Sequence, residues 1–241
     1  MIRFRHGRLT ALGVIAAAAL TVSSLASGFA ASLSVDSAAL TAYRSCLITA
    51  TPSTTPAVAD SEAAQDSANT NFGLGASLNV RSYNSARNRR IYVRFDLTAC
   101  TAQIPATAVV KTAELRVFAT TLPTACRTLD VFRVTAAWPE TGITWTSQPF
   151  GTGLNNPPSA QRTSYATVGS APCQNSTIFR YVPWTVTADV QAWVSGTAVN
   201  NGWMIRDDAE NSSQNRTVTF TAKNAGQLDR APQLTITWGL S

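Results

Sequence analysis

The segment from Thr185 to Asp208, TVTADVQAWVSGTAVNNGWMIRDD, predicts one short helix between two strands. Val190 and Trp193 fall on one face of that helix. Thr187 suits the N-cap position, and Gly196 supplies the left-handed residue that commonly ends a helix. Because an amphipathic helix of two turns cannot form a domain layer by itself, we expect it to close one end of a β-sandwich.

Short runs of alternating apolar and polar residues follow one another from residue 57 onward, separated by Gly, Asn and Pro clusters. This pattern is typical of an all-β sandwich or barrel. The expected strands are AVADSEA, SLNVRSY, RRIYVRFDL, VVKTAELRVFA, TLDVFRVT, TSYATVG, IFRYVPWTV, NGWMIR, VTFTAK and PQLTITW. We predict an all-β fold, a two-sheet β-sandwich with jelly-roll topology and one short helix.

The first thirty residues combine a basic start with a long uncharged apolar run. Gly28 and Ala30 satisfy the small-residue rule for cleavage, so residues 1–30 are predicted to be a secretory signal peptide. The alternative is a retained membrane anchor, because the apolar run approaches spanning length. Residues 31–56 are predicted to be an N-terminal extension or linker, and residues 57–241 the folded domain.

Charge and histidine content restrict the function. Three of the nineteen basic residues and no acidic residue precede residue 31, which lowers the net charge from +6 to +3 on the mature chain. So small a charge argues against nucleic acid as a partner. The only histidine is His6, so a mature chain would have neither a Ser-His-Asp or Cys-His hydrolase site nor a His-ligated zinc site. After signal cleavage no membrane contact is expected.

The four cysteines, all beyond the predicted signal, favour two disulfides in an oxidising exterior. A metal site is the weaker interpretation because no CxxC pair exists. Three connectivities are open. Strand alternation would put Cys100 and Cys126 at opposite ends of a sheet, which favours Cys126–Cys173 and Cys46–Cys100.

Strand alternation also predicts a ligand-binding face. In IYVRFDL the apolar residues face the core, while Tyr92 and Arg94 point to the other side. The same alternation turns Arg81 and Arg116 outward on neighbouring strands. Guanidinium groups pair with hydroxyls and carboxylates, and aromatic rings stack on sugars, so this face suits carbohydrate. The alternative is an ordinary solvated ladder of ion pairs.

Two further residues join the predicted ligand-binding set. Trp145 lies in WPETGITWTSQP, where two indoles flank an acidic turn and one of them can stack on a sugar; a buried structural role is the alternative. Arg206 ends a strand just before an acidic turn and is expected to reach solvent. The complete set is Arg81, Tyr92, Arg94, Arg116, Trp145 and Arg206.

Acidic side chains group at Asp60 with Glu62 and at Asp207 with Asp208. Loop carboxylates outside the cell can hold calcium, although no DxDxDG loop is present. A structural calcium ion at either pair is therefore a hypothesis, and no other cofactor is expected. Catalysis without histidine would need paired carboxylates or Tyr92 as a base, but no catalytic residue is predicted.

Several ordered sequence pieces together resemble a known family. They are ADSEA, NTNFG, SLNVRS, RRIYVRFDL, IP with TAELRVFA after it, FRVTAAWPETGITWTSQP, VTADVQAWVSGTAVNNG and APQLTITW, spread over about residues 57–238. Their order resembles that of the secreted DNRLRE-domain proteins, classed as carbohydrate-binding module family 96. The resemblance implies a jelly-roll β-sandwich and a secreted, non-catalytic protein associated with polysaccharides.

The leading hypothesis is a secreted, non-catalytic protein that binds polysaccharide or a cell-wall glycan, at the cell surface or on extracellular glycans. The alternative is a structural protein of the cell wall or matrix that binds no sugar. A small polysaccharide lyase or hydrolase is a third interpretation. The sequence leaves the oligomeric state open.

Overall fold

The computed structural model describes residues 43–51, 57–100 and 103–240. The predicted signal peptide lies outside these residues, as does most of the predicted extension. The strands are β1 Arg44–Thr49, β2 Val58–Ala64, β3 Ser77–Ser82, β4 Arg89–Phe95, β5 Ala108–Thr121, β6 Arg127–Arg133, β7 Ser164–Val168, β8 Arg180–Thr185, β9 Trp203–Asp207, β10 Arg216–Thr221 and β11 Gln233–Leu240. The helix α1 covers Thr187–Val194.

The prediction of an all-β fold with one short helix is confirmed. Each expected strand is present, as β2 to β11. An additional strand, β1, lies within the segment predicted to be an extension and pairs antiparallel with β11. Its residue Ile48 is buried in the core, so the sheet begins before residue 57.

All strands belong to one antiparallel sheet that curls on itself. We call β1, β11, β5, β8, β10 and β3 the first half-sheet, and β2, β4, β9, β6 and β7 the second half-sheet. A single register pair, Arg81 opposite Arg89, joins the two halves between β3 and β4. The two sheets predicted from the sequence therefore correspond to the two halves of one curled sheet.

The long strand β5 organises the first half-sheet. Its residue Leu115 pairs with Trp184 of β8 and with Leu234 of β11, so these two strands lie along opposite edges of β5. Further along, Ala119 pairs with Phe220 of β10 on the edge that β11 occupies. The strands β10 and β11 thus follow one another along the same edge.

The main core lies between the two halves. Trp184, Trp203 and Trp238 are fully buried in it. The Trp184 indole Nε1 donates to the Leu129 carbonyl oxygen at 3.2 Å, which links β8 to β6 in the opposite half. Burying a large apolar side chain contributes about 1.5–3 kcal/mol, so these rings are major sources of stability.

The helix α1 closes one end of this core. Val190 and Trp193 are buried, and the Trp193 ring lies 4.5 Å from that of Trp203. Gly196, with φ of 72°, follows the helix as predicted. The prediction for Thr187 was wrong, since it is the first helical residue; its hydroxyl accepts a hydrogen bond from the Ala113 N–H and so attaches the helix to β5.

Two disulfides, Cys46–Cys100 and Cys126–Cys173, fasten the fold. These are the pairings that strand alternation favoured. The first bond attaches β1 to the segment that follows β4. Across the described part of the chain, every helix is too short or too polar to cross a membrane.

Candidate functional site

The outer face of the second half-sheet is covered by the segment between β6 and β7, residues 134–163. Trp138 and Trp145 from this segment pack on Tyr92, Phe132 and Met204 in a second apolar cluster. The exposed fraction of Tyr92 is 0%, and its hydroxyl donates to Gln148 Oε1 at 2.9 Å. The predicted exposure of Tyr92 and Trp145 is therefore wrong, because alternation assigns a side of the sheet but does not show whether that side is covered.

A buried arginine explains the position of Trp145. The Arg90 guanidinium lies 4.7 Å from the centre of the Trp145 ring and makes paired hydrogen bonds to Glu210, at 2.7 and 2.8 Å. It also donates to the carbonyl oxygens of Gly151 and Gly153. These contacts hold residues 134–163 on the sheet, so Trp145 has a structural role here.

Arg206 is also buried, contrary to the prediction. Its guanidinium donates to the carbonyl oxygens of Pro157 and Asp207, at 2.6 Å each, and lies 4.9 Å from the centre of the Phe132 ring. Burial lowers the pKa of this guanidinium, while Glu210 and Asp130 raise it. The covering segment reaches β9 and removes Arg206 from solvent.

Arg81 belongs to the ion-pair ladder that the sequence offered as an alternative. Arg81 and Arg89 both contact the Asp66 carboxylate. Arg89 Nη1 also contacts Glu62 Oε1 at 2.6 Å. The charges of these side chains are paired with one another, so the geometry favours a structural role for Arg81.

Arg94 lies at the margin of the covered face. It is half-buried, and its guanidinium carbon is 5.3 Å from the centre of the Trp138 ring. With Asp96 and Asn200 it lines a cleft of about 370 Å³. Arg94 is thus separated from Arg81 and Arg116, and the predicted residues do not form one surface.

The carboxylates of both acidic pairs contact other groups of the protein. Asp60 accepts a hydrogen bond from the backbone N–H of Lys223, and Glu62 is held by Arg89 and Asn79. Arg127 contacts both Asp207 and Asp208. Cationic and N–H groups therefore contact carboxylate oxygens of both pairs, which disfavours calcium there. Among the described residues, no three His, Cys, Asp or Glu side chains come together as a possible metal site.

On the first half-sheet, in contrast, the outer side of β8, β5, β11 and β1 reaches solvent. We call it the open face; it consists of the outward residues of β8, β5, β11 and β1. Arg116 lies on it, opposite Pro183 of β8 and Gln233 of β11. Phe118 lies next to Arg116 on the same side and pairs with Tyr181. Of the six predicted ligand-binding residues, Arg116 is the one that occupies this face.

Aromatic rings and guanidinium groups form one cluster on the open face. The rings of Phe118 and Tyr181 meet edge to face at 5.2 Å. Arg116 lies 5.2 Å from the centre of the Tyr181 ring, and Arg230 lies 5.2 Å from Phe118 and 6.0 Å from Phe179. We call these five residues, Arg116, Phe118, Phe179, Tyr181 and Arg230, the aromatic–arginine cluster.

Phe179 is the most unusual member of this cluster. Its side chain is 55% exposed, and its backbone has φ of 58°. A left-handed conformation costs roughly 1–2 kcal/mol for a residue with a Cβ, and an exposed ring recovers little of that cost by burial. An exposed aromatic ring held in a strained conformation at a sheet edge makes Phe179 a candidate binding residue.

Hydroxyl groups continue the open face beyond the cluster. The register places Thr112 beside Thr237, and Thr237 beside Ser45 of β1. The hydroxyls of Ser45 and Thr237 lie 3.2 Å apart. Thr185 and Thr235 flank Glu114 in the next row. The face therefore combines aromatic rings, of which Phe179 is exposed and Phe118 is buried, with guanidinium donors and rows of hydroxyls.

Sequence reasoning missed Phe179, Tyr181 and Arg230. In IFRYVPW, alternation places Phe179 and Tyr181 on the side opposite Val182 and Trp184, so a signal for two of them was present. Arg230 lies in the connection between β10 and β11 and has no comparable pattern. Its position follows from the tertiary structure alone.

The covered face of the second half-sheet and the open face of the first define a class of protein, an antiparallel β domain with one covered and one open sheet face. A sequence model of carbohydrate-binding module family 96 matches residues 51–238, and the chain belongs to this family. A search of curated proteins found no match. The family suggests carbohydrate binding, with carbohydrates as the general class of partner.

Proposed function

We propose that this protein is a secreted, non-catalytic polysaccharide-binding protein and that it binds polysaccharide through the open face. The observation that carries the proposal is the aromatic–arginine cluster on the uncovered half of the sheet. Aromatic rings provide apolar surface for the faces of sugar rings, and guanidinium groups donate paired hydrogen bonds to hydroxyls or carboxylates. An extended row of such groups suits a chain of sugars.

Secretion is supported by the two disulfides, because such bonds persist in oxidising compartments. The family supports a binding role without catalysis. The lyase mechanism with Tyr92 as base conflicts with the structure. Burial raises the pKa of the Tyr92 hydroxyl above its ordinary value, and that hydroxyl is already bonded to Gln148.

Affinity electrophoresis through gels containing xylan, mannan, β-glucan, alginate or polygalacturonate tests the proposal. We expect at least one of these polysaccharides to retard the protein. Phe179→Ala and Arg116→Ala should each weaken binding about two- to tenfold, because a stacked ring or a hydrogen bond contributes roughly 0.5–1.5 kcal/mol.

Tyr165→Ala is the matched control. Tyr165 is 54% exposed, close to the value for Phe179, and Arg162 lies 4.3 Å from the centre of its ring, but it is on β7 in the second half-sheet. This variant should bind as the unaltered protein does. Equal losses in Tyr165→Ala and Phe179→Ala would contradict the proposal, as would self-association without retardation by any polysaccharide, which the structural-protein alternative predicts.

A further inference from the structure

A pocket of about 440 Å³ lies on the other side of the molecule, where the segment covering the second half-sheet meets the start of α1. Phe132 of β6 forms part of its wall, and the side chain of Phe132 belongs to the apolar cluster on the outer side of that half-sheet. The pocket is therefore separated from the open face by the full thickness of the core. Nothing in the open-face proposal uses it.

A buried carboxylate lines this pocket. Asp189, in the first turn of α1, is only 6% exposed. Its Oδ2 accepts hydrogen bonds from the Thr163 hydroxyl at 2.7 Å and from the Trp203 indole N–H at 2.9 Å. Arg133 Nη1 lies 3.5 Å from Oδ1. These partners fix the carboxylate in one orientation, and Arg133 extends from it to the pocket opening.

The rest of the lining combines apolar and amide groups. Phe132 and Phe150 meet at 6.4 Å and supply aromatic wall, with Phe150 half-buried. Asn156 and Gln161 stand exposed at the rim and present side-chain amides. A few placed polar groups on an aromatic wall are typical of small-molecule sites, whose volumes run from roughly 300 to 1,000 Å³.

The lining favours an uncharged polyhydroxyl ligand. Arg133 and Asp189 are the two charged residues of the lining, and they face one another, so their charges cancel. Amides, hydroxyls and the paired ions offer both donors and acceptors, which sugar hydroxyls require. A uronate would place a second carboxylate near Asp189. We propose that this pocket is a second binding site, which takes one or two neutral sugar residues of a glycan.

The Trp203 indole provides a direct probe, because its N–H donates to Asp189. We suggest recording the indole ¹H–¹⁵N resonances of the protein while titrating methyl glucoside, galactoside, mannoside, xyloside and glucuronide. The Trp203 resonance is assigned by its loss in Trp203→Phe. We expect a saturable shift of this resonance with at least one neutral glycoside. No shift with any neutral glycoside, or a shift with the glucuronide alone, would overturn the proposal.

Substitutions at two neighbouring residues distinguish binding of a glycoside in the pocket from a general effect of a new surface tryptophan. Gln161 and Ala160 are both exposed in the short turn Ser159–Gln161, but only Gln161 lines the pocket. Gln161→Trp should fill the opening and weaken the glycoside titration by at least about tenfold, or 1.4 kcal/mol, while Ala160→Trp should leave it unchanged. An undiminished response in Gln161→Trp would refute the site. Phe179→Ala, which is expected to weaken binding at the open face, should not alter this titration.

Discussion

Asp60 is a carboxylic acid enclosed in the fold on β2. Its Oδ2 accepts a hydrogen bond from the Lys223 backbone N–H at 2.7 Å. Burial raises its pKa to about 7, and the nearby Glu140 adds to that effect, whereas the Lys223 N–H and ammonium oppose it. Folding therefore favours the protonated acid, and the unfolded chain, with a pKa near 3.8, favours the carboxylate.

This difference makes the stability of the protein depend on pH. Between about pH 4 and pH 7 the folded state binds more protons than the unfolded state at Asp60, so the free energy of unfolding falls as pH rises. The slope approaches about 1.4 kcal/mol per pH unit and ends above the folded pKa. Urea denaturation at a series of pH values should show this decline, reduced in Asp60→Asn.

Asp229→Asn serves as the control, because the Asp229 side chain is 81% exposed. Its unfolding free energy should follow that of the unaltered protein at every pH. A decline that persists in full in Asp60→Asn would show that other groups cause it.

For individual residues, the sequence correctly predicted the side of the sheet to which a side chain points. Strand alternation predicts that Arg116 points outward, and it lies on the open face. Tyr92 was also directed to the correct side, but thirty covering residues, 134–163, bury it. Direction follows from the period of a strand, whereas exposure depends on contacts distant in sequence.

The covering segment is the element that divides the sheet into a closed and an open face. The position of this segment depends on the buried ion pair of Arg90 and Glu210. Glu210 accepts a hydrogen bond from the backbone N–H of Asn155, which belongs to the segment. Removing one partner of a buried ion pair leaves an uncompensated charge and costs about 3–5 kcal/mol. We expect Glu210→Ala to lower the free energy of unfolding by this amount, measured by urea denaturation.

Asp66→Ala provides the comparison at a partly exposed ion pair. Asp66 pairs with Arg81 and Arg89 but is partly exposed, so its loss should cost no more than about 1 kcal/mol. Glu210→Ala should also shift tryptophan emission to longer wavelength as Trp145 gains contact with water. Equal costs for the two variants would contradict a role for Glu210 in holding the segment.

The elements themselves were predictable from alternation, with one exception. The strand β1 carries the run RSCLIT, whose apolar alternation is short and interrupted by polar residues. Its strand conformation follows from pairing with β11 and from the disulfide to Cys100. A segment held by partners distant in the chain gives little local signal.

For the whole molecule, the disulfides are the covalent links between distant parts of the fold. Cys46–Cys100 spans 54 residues and Cys126–Cys173 spans 47. In the loop-entropy description, each bond raises the free energy of the unfolded state by about 4 kcal/mol, because it removes conformations of the unfolded chain. We expect Cys46→Ala with Cys100→Ala to lower the free energy of unfolding by about 2–4 kcal/mol, measured by denaturant titration.

The two bonds should differ in their local effects. Without Cys46–Cys100, hydrogen exchange should accelerate in β1, which pairs only with β11 among the described strands. The matched variant Cys126→Ala with Cys173→Ala should leave exchange in β1 unchanged. Unaltered protection of β1 after loss of its disulfide would show that hydrogen bonding to β11 suffices.

The register of β1 with β11 has a consequence for the timing of folding. Arg44 lies opposite Trp238, so strands from the two ends of the described sequence are neighbours in the sheet. The long strand β5 also obtains an edge partner from β11. Contacts this distant form late, because a long loop must close first. The sheet can therefore be completed only after residues 233–240 have been synthesised, so the last strand to leave the ribosome is the one that gives β1 its partner and β5 an edge neighbour.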